Sequence, residues 1–332
     1  MARNPHYLSQ LAHIEIFTSD IETTVSFFKD IIGLDVTGRD ENSAYLRAWG
    51  DYFHHTLKVT QSEQKGMGHL SWRADSAEAL EECVAHLEKT GAGIGWVEGD
   101  LGHGKAYRFR SPDGHIHEVF WDVVWLNEKG TENASIYKDR YASNRRVGVN
   151  VRRFDHVTYM VSKGKYAAEK AFWQGFGLKN PDEVRMEDHI PPVGGLWTIG
   201  NLSHDIAVFT DPNIGPNEGV LNHIAYNLDS REEVLLGIDY ILEKGHKSVM
   251  GSPTRHKADE GFFVYVMIPA TGVLFEFYAG ARLIFAPDHG PDVHYLRENP
   301  NDAWGSVNPF AEMTKGKKLG LSEDGTVKPH DI

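Results

Sequence analysis

A segment that occurs twice decides the fold of this chain. Residues 12–34 read AHIEIFTSDIETTVSFFKDIIGL, and residues 155–178 read DHVTYMVSKGKYAAEKAFWQGFGL. Each copy opens on a short apolar strand that contains a His. It then passes through a polar turn into an amphipathic helix with paired aromatic residues, and it closes on Gly-Leu. Such a repeat indicates that one supersecondary unit is used more than once.

A second pair of segments is related in the same way. Residues 68–80 read GHLSWRADSAEAL, and residues 222–234 read NHIAYNLDSREEV. In both copies a strand with a His leads into Asp-Ser and an acidic turn, which is the pattern of a helix N-cap. A Gly follows 22 residues after the His, as Gly91 and as Gly245. This is the position where a helix C-cap is expected.

Each of the four units predicts a strand, a helix and two or three further strands. The further strands are expected at residues 44–49, 56–60, 105–109 and 115–122, and at residues 195–199, 205–209, 262–268 and 273–278. Four βαβββ-like units, paired two by two, make an α+β protein of two similar domains. We predict these domains at residues 1–126 and 151–286, with a charged connection at 127–150. The tail, 287–332, is rich in Pro, Asn, Asp and Gly, which favours a loop or lid over a further domain.

The composition is that of an acidic globular protein. The chain has 332 residues, 41% of them hydrophobic, and a net charge of −13. The negative charge argues against nucleic acid as a partner, because such binding depends on basic patches. There is neither a long apolar run nor a secretory signal pattern, so we expect a cytoplasmic protein without a membrane partner. The single cysteine, Cys83, excludes an internal disulfide and any site with several thiolates.

Histidine is the residue type that stands out, with 18 copies, and it is the usual side chain for metal binding and for proton transfer near neutral pH. His156 and His223 each lie on a predicted strand, and Glu276 lies in the middle of an apolar one. A carboxylate in that position is costly to bury unless it is paired or binds a metal. Two imidazoles and one carboxylate form the facial triad of non-haem Fe(II) oxygenases. These three residues are our candidate metal ligands, although a structural role is the simpler interpretation of either His alone.

The sequence motifs of several other enzyme classes are absent. The chain has no HExxH helix, no GxGxxG after a strand, no Walker loop and no GxSxG elbow. We therefore expect no nucleotide or other organic cofactor.

The chain resembles the two-domain extradiol ring-cleaving dioxygenases of the vicinal oxygen chelate superfamily, of the catechol 2,3-dioxygenase type. The most specific part is residues 255–278, RHKADEGFFVYVMIPATGVLFEFY. There His256, Tyr265 and Glu276 stand where the family has the His of an Arg-His pair, a catalytic Tyr and the metal-binding Glu. His204 stands in a segment similar to that of the family's acid–base histidine.

The resemblance implies a fold, a cofactor and roles for individual residues. It implies half-open barrels built from paired βαβββ modules, Fe(II) at His156, His223 and Glu276 with Mn(II) as the alternative metal, and a homo-oligomer, by family a tetramer. His204 would take a proton from a catecholic substrate and later return it. His256 would hydrogen-bond the substrate or O2, and Tyr265 would stabilise a deprotonated hydroxyl. The partners implied are a catechol and O2.

Two positions depart from the family pattern. Residues 268–272 read IPATG where the family often has Asp-Pro-x-Gly before the Glu strand, and Thr158 stands where some relatives carry Asn. The first departure concerns turn chemistry, whereas the second concerns contacts with substrate and oxygen.

Several functions remain open at this point. Other extradiol enzymes, such as homoprotocatechuate 2,3-dioxygenase or 2,3-dihydroxybiphenyl 1,2-dioxygenase, would share the whole site, and the sequence does not indicate the ring substituent. An enzyme like 4-hydroxyphenylpyruvate dioxygenase would share the fold and triad without needing His204, His256 and Tyr265. A glyoxalase-like isomerase would place more carboxylates at its metal. A drug-sequestering binding protein of the superfamily would need no triad.

The first half of the chain repeats much of the candidate site. The equivalent residues by position in the repeat are His13, His69, Glu118, His55 and Tyr107. Tyr107 precedes Glu118 by eleven residues, as Tyr265 precedes Glu276. His103 precedes Glu118 by fifteen residues, however, whereas His256 precedes Glu276 by twenty. We predict one active site, in residues 151–286, and a first-half set that is a relic of duplication.

Overall fold

The computed structural model describes residues 6–125, 147–215, 219–249, 251–286 and 288–304. The helices and strands of the first half are β1 (Leu8–Thr18), α1 (Ile21–Ser26), β2 (Asp35–Arg39), β3 (Ser43–Arg47), β4 (Leu57–Gln61), β5 (Gly66–Ala74), α2 (Ala77–Thr90), β6 (Gly93–Val97), β7 (Ala106–Arg110) and β8 (Ile116–Phe120). A π-helical segment, Phe27–Ile32, continues α1. Within the described ranges no helix combines the length and the apolar character that a membrane crossing requires.

The second half repeats this order of elements and adds one strand. Its elements are β9 (Arg153–Val161), α3 (Tyr166–Gly175), β10 (Lys179–Arg185), β11 (Gly194–Thr198), β12 (Ile206–Thr210), β13 (Val220–Asn227), α4 (Arg231–Glu243), β14 (Thr254–Arg255), β15 (Phe262–Met267), β16 (Leu274–Ala279) and β17 (Asp292–Tyr295). A short 3-10 helix, Leu296–Glu298, follows β17.

Each half forms one mixed sheet, and the two sheets have the same topology. The strand order is β2-β3-β4-β1-β5-β8-β7-β6 in the first sheet and β14-β15-β16-β13-β9-β12-β11-β10-β17 in the second. Read in reverse, the second order matches the first strand for strand, with β17 added at the edge. Strand β1 is parallel to β4 and antiparallel to β5, as β9 is parallel to β12 and antiparallel to β13. The predicted α+β fold of paired modules is confirmed.

The helix caps follow the sequence signals. Ser76 and Ser230 accept hydrogen bonds from the backbone N–H of Ala79 and Glu233, at the N-termini of α2 and α4. Gly91 ends α2 with a φ of +74°, a conformation that Gly adopts without steric cost. These caps satisfy backbone groups that a helix end leaves unpaired, and they fix where each helix begins against its sheet.

The apolar faces of both sheets meet in one continuous core, which contains residues of both halves. Trp72 of β5 packs on Trp173 of α3, with ring centroids 5.4 Å apart. Beside this pair the fully buried Glu169 accepts hydrogen bonds from the Ser111 hydroxyl and from Tyr159 of β9. The core therefore joins the halves directly.

The predicted connection and tail lie partly outside the described residues, which omit 126–146 and 305–332. At the end of the connection, Val149 donates its backbone N–H to Ile31. In the tail, β17 pairs in parallel with β10, so part of a segment predicted as a loop or lid is a strand. Arg282 contributes to this pairing, because its guanidinium bridges Asp182 and Asp292, one on each strand.

We predict that Trp173→Ala destabilises the whole chain, because the indole is fully buried between the halves. Truncating a buried Trp costs about 3–5 kcal/mol, which urea unfolding followed by circular dichroism will measure. Leu236→Ala, on the exposed side of α4, is the control and should change the free energy of unfolding by no more than about 0.5 kcal/mol. Equal effects of the two substitutions would contradict the shared core.

Candidate metal centre

The three candidate ligands lie on adjacent strands in the middle of the second sheet. His156 is on β9, His223 on β13 and Glu276 on β16. Ala225 of β13 is in register with both His156 and Glu276. His223 precedes Ala225 by two residues, so it points to the same face of the sheet. The strand register thus brings together three residues that are far apart in sequence.

The distances between the ligand atoms fit a single metal ion. The Nε2 atoms of His156 and His223 are 3.4 Å apart, and they lie 2.8 and 3.2 Å from Oε2 of Glu276. Ligand atoms about 2.1 Å from one ion, at angles between tetrahedral and octahedral, lie about 3.0 to 3.4 Å apart. The triangle therefore has the dimensions of a metal coordination face, as expected for a cluster of this composition.

Glu276 is the residue that most requires a cation. It is fully buried, and neither carboxylate oxygen accepts a hydrogen bond of good geometry from any described residue. A buried carboxylate in this state is strongly unfavourable without a compensating charge. A divalent ion bound by Glu276 and the two imidazoles would supply that charge, so the residues present fit the metal that the family resemblance implies.

Two side chains behind the triad hold the imidazoles in place. The Nδ1–H of His156 donates to Oδ1 of Asp155 at 3.0 Å, and the Nδ1–H of His223 donates to Oδ1 of Asn222 at 2.7 Å. Both rings consequently present Nε2 to the centre of the site. Such partners fix the tautomer and the orientation of a metal-binding His. Sequence reasoning missed both roles, although each residue stands directly before its His.

The electrostatics of the site favour a positive charge at its centre. Burial opposes the protonated form of His156, but the carboxylates of Asp155 and Glu276 outweigh it and raise its pKa to about 9. Burial raises the pKa of Glu276, yet His223 and His156 hold it well below its usual range. The proton that His156 holds is therefore what a divalent cation would replace. Because the proton and the metal compete for the same group, metal affinity should fall as the pH falls.

The three predicted catalytic residues surround the triad. The ring centroid of His204 is 4.0 Å from that of His156. Nε2 of His256 is 3.5 Å from Oε1 of Glu276. Tyr265 of β15 is in register with Glu276, and its ring centroid is 5.0 Å from that of His223. All six predicted site residues therefore converge.

Further polar side chains support His204, and sequence reasoning did not identify them. The Ser203 hydroxyl lies 3.0 Å from Nδ1 of His204, and Oδ2 of Asp259 lies 3.6 Å from the same nitrogen. The Tyr278 hydroxyl donates to Oδ2 of Asp259 at 2.8 Å. Asp259 stands only three residues after His256, and Tyr278 two after Glu276, but the contact between them depends on the tertiary structure.

The pKa values of His204 and Tyr265 move in opposite directions. Burial, helped by the neighbouring His156, lowers the pKa of His204 to about 3. The imidazole is thus neutral at physiological pH, with one ring nitrogen unprotonated. Burial and the Glu276 charge raise the pKa of Tyr265 well above its usual range, so this phenol keeps its proton and acts as a hydrogen-bond donor.

The first half builds a similar triangle with different neighbours. His13, His69 and Glu118 lie on β1, β5 and β8, the strands equivalent to β9, β13 and β16. The predicted equivalence of Tyr107 and Tyr265 is wrong. The residue in register with Glu118 is Arg108, because the hairpin of β7 and β8 is one residue shorter than that of β15 and β16.

The two carboxylates of the repeat differ in their surroundings. Glu118 accepts hydrogen bonds from the Ser71 hydroxyl at 2.6 Å and from Nε of Arg108 at 3.3 Å. Glu276 faces Ala225 and Tyr265 at the same positions of its own sheet. The second-half triad therefore combines a carboxylate that accepts no hydrogen bond with the phenol of Tyr265 opposite it. This combination favours the second half as the catalytic one.

Comparison with known proteins agrees with this fold. Residues 10–119 match the family described as Glyoxalase/Bleomycin resistance protein/Dioxygenase superfamily. The chain is 33% identical to a metapyrocatechase of Geobacillus stearothermophilus over 97% of both chains. It is also 33% identical to a manganese-dependent 2,3-dihydroxybiphenyl 1,2-dioxygenase of Geobacillus genomosp. 3, over 88% of this chain and 92% of that protein.

The chain belongs to the extradiol ring-cleaving dioxygenases. The crystal structure of the 2,3-dioxygenase LapB from Pseudomonas sp. KL28 has the same fold, with a TM-score of 0.79 at 22% identity over 89% of this chain and 99% of that one. The predicted vicinal oxygen chelate fold and the predicted family are therefore confirmed. Members of this family incorporate oxygen into their substrates, so the chain is an oxidoreductase.

We predict that Asp155→Ala weakens metal binding at the triad, because His156 loses the partner of its Nδ1–H. Loss of such a partner typically reduces metal affinity about 10–100-fold. The measurement is the Mn(II) concentration that restores half of the maximal ring-cleavage rate to metal-free protein. Asp229→Ala, which removes a surface carboxylate paired with Arg152, is the control. An unchanged Mn(II) requirement in Asp155→Ala would show that Asp155 does not orient the ligand.

Proposed function

We propose that this protein opens a catechol ring next to its two hydroxyl groups, inserting both atoms of O2 and giving a product of the 2-hydroxymuconic semialdehyde type. One observation carries the proposal. A buried triad of two His and one Glu, whose carboxylate has no hydrogen-bond partner in the described structure, adjoins a buried neutral His and a protonated Tyr. The relatives named metapyrocatechase and dihydroxybiphenyl dioxygenase support it.

The metal would be held by His156, His223 and Glu276. We propose Fe(II), with Mn(II) as the alternative, which the manganese-dependent relative supports. When bound, the ion would supply Lewis acidity for the two vicinal oxygens of the catechol and redox chemistry for O2. One carboxylate and two neutral imidazoles leave one formal positive charge on a divalent ion, which suits a substrate that loses a proton on binding.

His204 is the proposed base of the reaction. Its imidazole is neutral and buried, and its ring lies against that of His156, so it borders the site where the substrate oxygens would bind. Ser203 and Asp259 at Nδ1 orient the ring so that Nε2 is available to the substrate. The residue would take a proton from one catechol hydroxyl and return it to oxygen later in the cycle.

His256 and Tyr265 are proposed to act as hydrogen-bond donors. His256 stacks on Phe263, with ring centroids 3.7 Å apart and an angle of 6° between the planes, so its ring orientation is fixed. Tyr265 keeps its proton and stands opposite Glu276. Donors in fixed positions stabilise negative charge on an oxygen without reorganising during the reaction.

The alternative functions fit the site less well. A glyoxalase-like isomerase needs more carboxylates at the metal, whereas the second-half triad contains one, Glu276. An enzyme like 4-hydroxyphenylpyruvate dioxygenase has no use for His204, His256 and Tyr265 together, and a binding protein has no use for the triad. The homo-oligomeric state and the cytoplasmic location stay predictions.

We predict that chelation abolishes ring cleavage and that Fe(II), added under anaerobic reducing conditions before O2, restores it. The reason is that the triad alone can neither hold both catechol oxygens nor react with O2. Oxygen uptake with catechol will measure the recovery, with Mn(II) and Zn(II) as parallel additions. Zn(II) has no redox chemistry and should not restore turnover. Full activity in metal-free protein would exclude the proposed reaction.

We predict that His204→Phe slows ring cleavage about 10²–10⁴-fold, the range typical of a lost general acid–base residue. Metal content should stay close to that of the wild type, because His204 is not a ligand. The matched control is His55→Phe, at the equivalent position of the first half, which should leave the rate close to that of the wild type. Loss of the metal in His204→Phe, or equal rates in the two variants, would show that the role is wrongly assigned.

A further inference from the structure

We propose that the first half of the chain binds a second divalent metal ion through His13, His69 and Glu118, and that this ion is structural. The sequence alone predicts that these residues are a relic of duplication. The structure brings these residues together as a complete ligand set, with its own supporting contacts, that differs from the second-half triad in the residues around it.

The ligand atoms form a triangle of the required size. The Nε2 atoms of His13 and His69 are 3.3 Å apart, and they lie 3.5 and 3.2 Å from Oε1 of Glu118. All three residues are at least 98% buried. These edges agree with the spacing of about 3.0 to 3.4 Å expected for ligands on one ion, and they are close to those of the second-half triad.

The orientation of His69 is achieved by residues that differ from those in the second half. Its Nδ1–H donates to Oε2 of Glu15 at 2.8 Å, which points Nε2 at Glu118. Glu15 fits there because Gly68 has no side chain, and a Cβ at that position would lie 2.2 Å from Oε2 of Glu15. In the second half the corresponding positions hold Thr158 and Asn222, and Asn222 orients the ligand. In both halves a hydrogen bond from Nδ1 thus keeps the ring of His69 or His223 directed at the metal position.

Other polar groups converge on the same point. The Ser71 hydroxyl lies 2.8 Å from Nε2 of His13 and 2.6 Å from Oε1 of Glu118. It therefore adds a neutral oxygen beside the triangle that a metal ion could also use as a ligand. Nε2 of His103 is 3.7 Å from Oε1 of Glu118. His55 and His103 are both more than nine-tenths buried, and neither Nε2 has a hydrogen-bond partner among the described residues. A hydrated cation at the triangle would interact with these groups.

The charges nearby indicate a weaker and catalytically inactive site. Arg108 lies 3.3 Å from Glu118, and Lys58 lies 3.6 Å from Glu15, so cationic side chains offset part of the negative charge that attracts a metal. Arg108 also occupies the position of Tyr265, and this half accordingly lacks the phenol that the proposed reaction uses. Imidazole and carboxylate ligands suit Mn(II), Fe(II) or Zn(II).

The test is a titration of metal-free protein with Mn(II), in which electron paramagnetic resonance measures the free ion at equilibrium. We expect two ions per wild-type chain, the second binding more weakly. The double variant His13→Ala with Glu118→Ala should bind one ion and still cleave catechol. The double variant His156→Ala with Glu276→Ala should also bind one ion but show no ring cleavage.

Two further variants keep the test decisive if a double variant does not fold. Gly68→Ala leaves all ligands in place but displaces Glu15, so it should weaken only the second ion, whereas His86→Ala, which removes a His that packs on Tyr7, should change neither. In the His156→Ala, Glu276→Ala protein, Mn(II) should raise the melting temperature. One ion in the wild type, or none in that protein, would overturn the proposal.

Discussion

The structure depends on the burial of one carboxylate, that of Glu276, in the middle of an apolar strand. Phe275 and Phe277, on either side of it in β16, point into the shared core, so the strand cannot turn the carboxylate towards solvent. Its nearest neighbours are imidazole nitrogens, which a divalent cation would bind together with it. The fold therefore stabilises the strand through its apolar face and leaves the opposite face for chemistry.

The repeat provides the same frame twice and allows the halves to diverge at a few positions. Tyr265, Ala225 and Tyr278 in the second half correspond to Arg108, Ser71 and Phe120 in the first. Each change removes a group that supports the proposed catalytic residues or adds one that donates a hydrogen bond to the first-half carboxylate. Because the ligands themselves are common to both halves, the neighbours distinguish a site suited to catalysis from one suited only to holding an ion.

Much of the fold and of the candidate site was predictable from the sequence. Paired His strands, Ser N-caps and the apolar strand around Glu276 are local patterns, and the eight further strands lie within two residues of their predicted positions. Strands β2, β6, β10, β14 and β17 were not predicted, because they are short or rich in Gly, Pro or charged residues, and their pairing depends on neighbouring strands. Contacts made by loop residues could not be predicted from local patterns either. His103 lies near Glu118 much as His256 lies near Glu276, although the two pairs are unequally spaced in sequence.

We propose that the second half holds the metal at which catechol reacts. The most direct measurement is an anomalous difference map, collected at the manganese absorption edge, from crystals of the Mn(II)-loaded protein with catechol bound in the absence of O2. We expect the strongest peak at about 2.2 Å from Nε2 of His156, Nε2 of His223 and the Glu276 carboxylate, with both catechol oxygens beside it. A map with no peak there, or with catechol bound only at His13, His69 and Glu118, would contradict it.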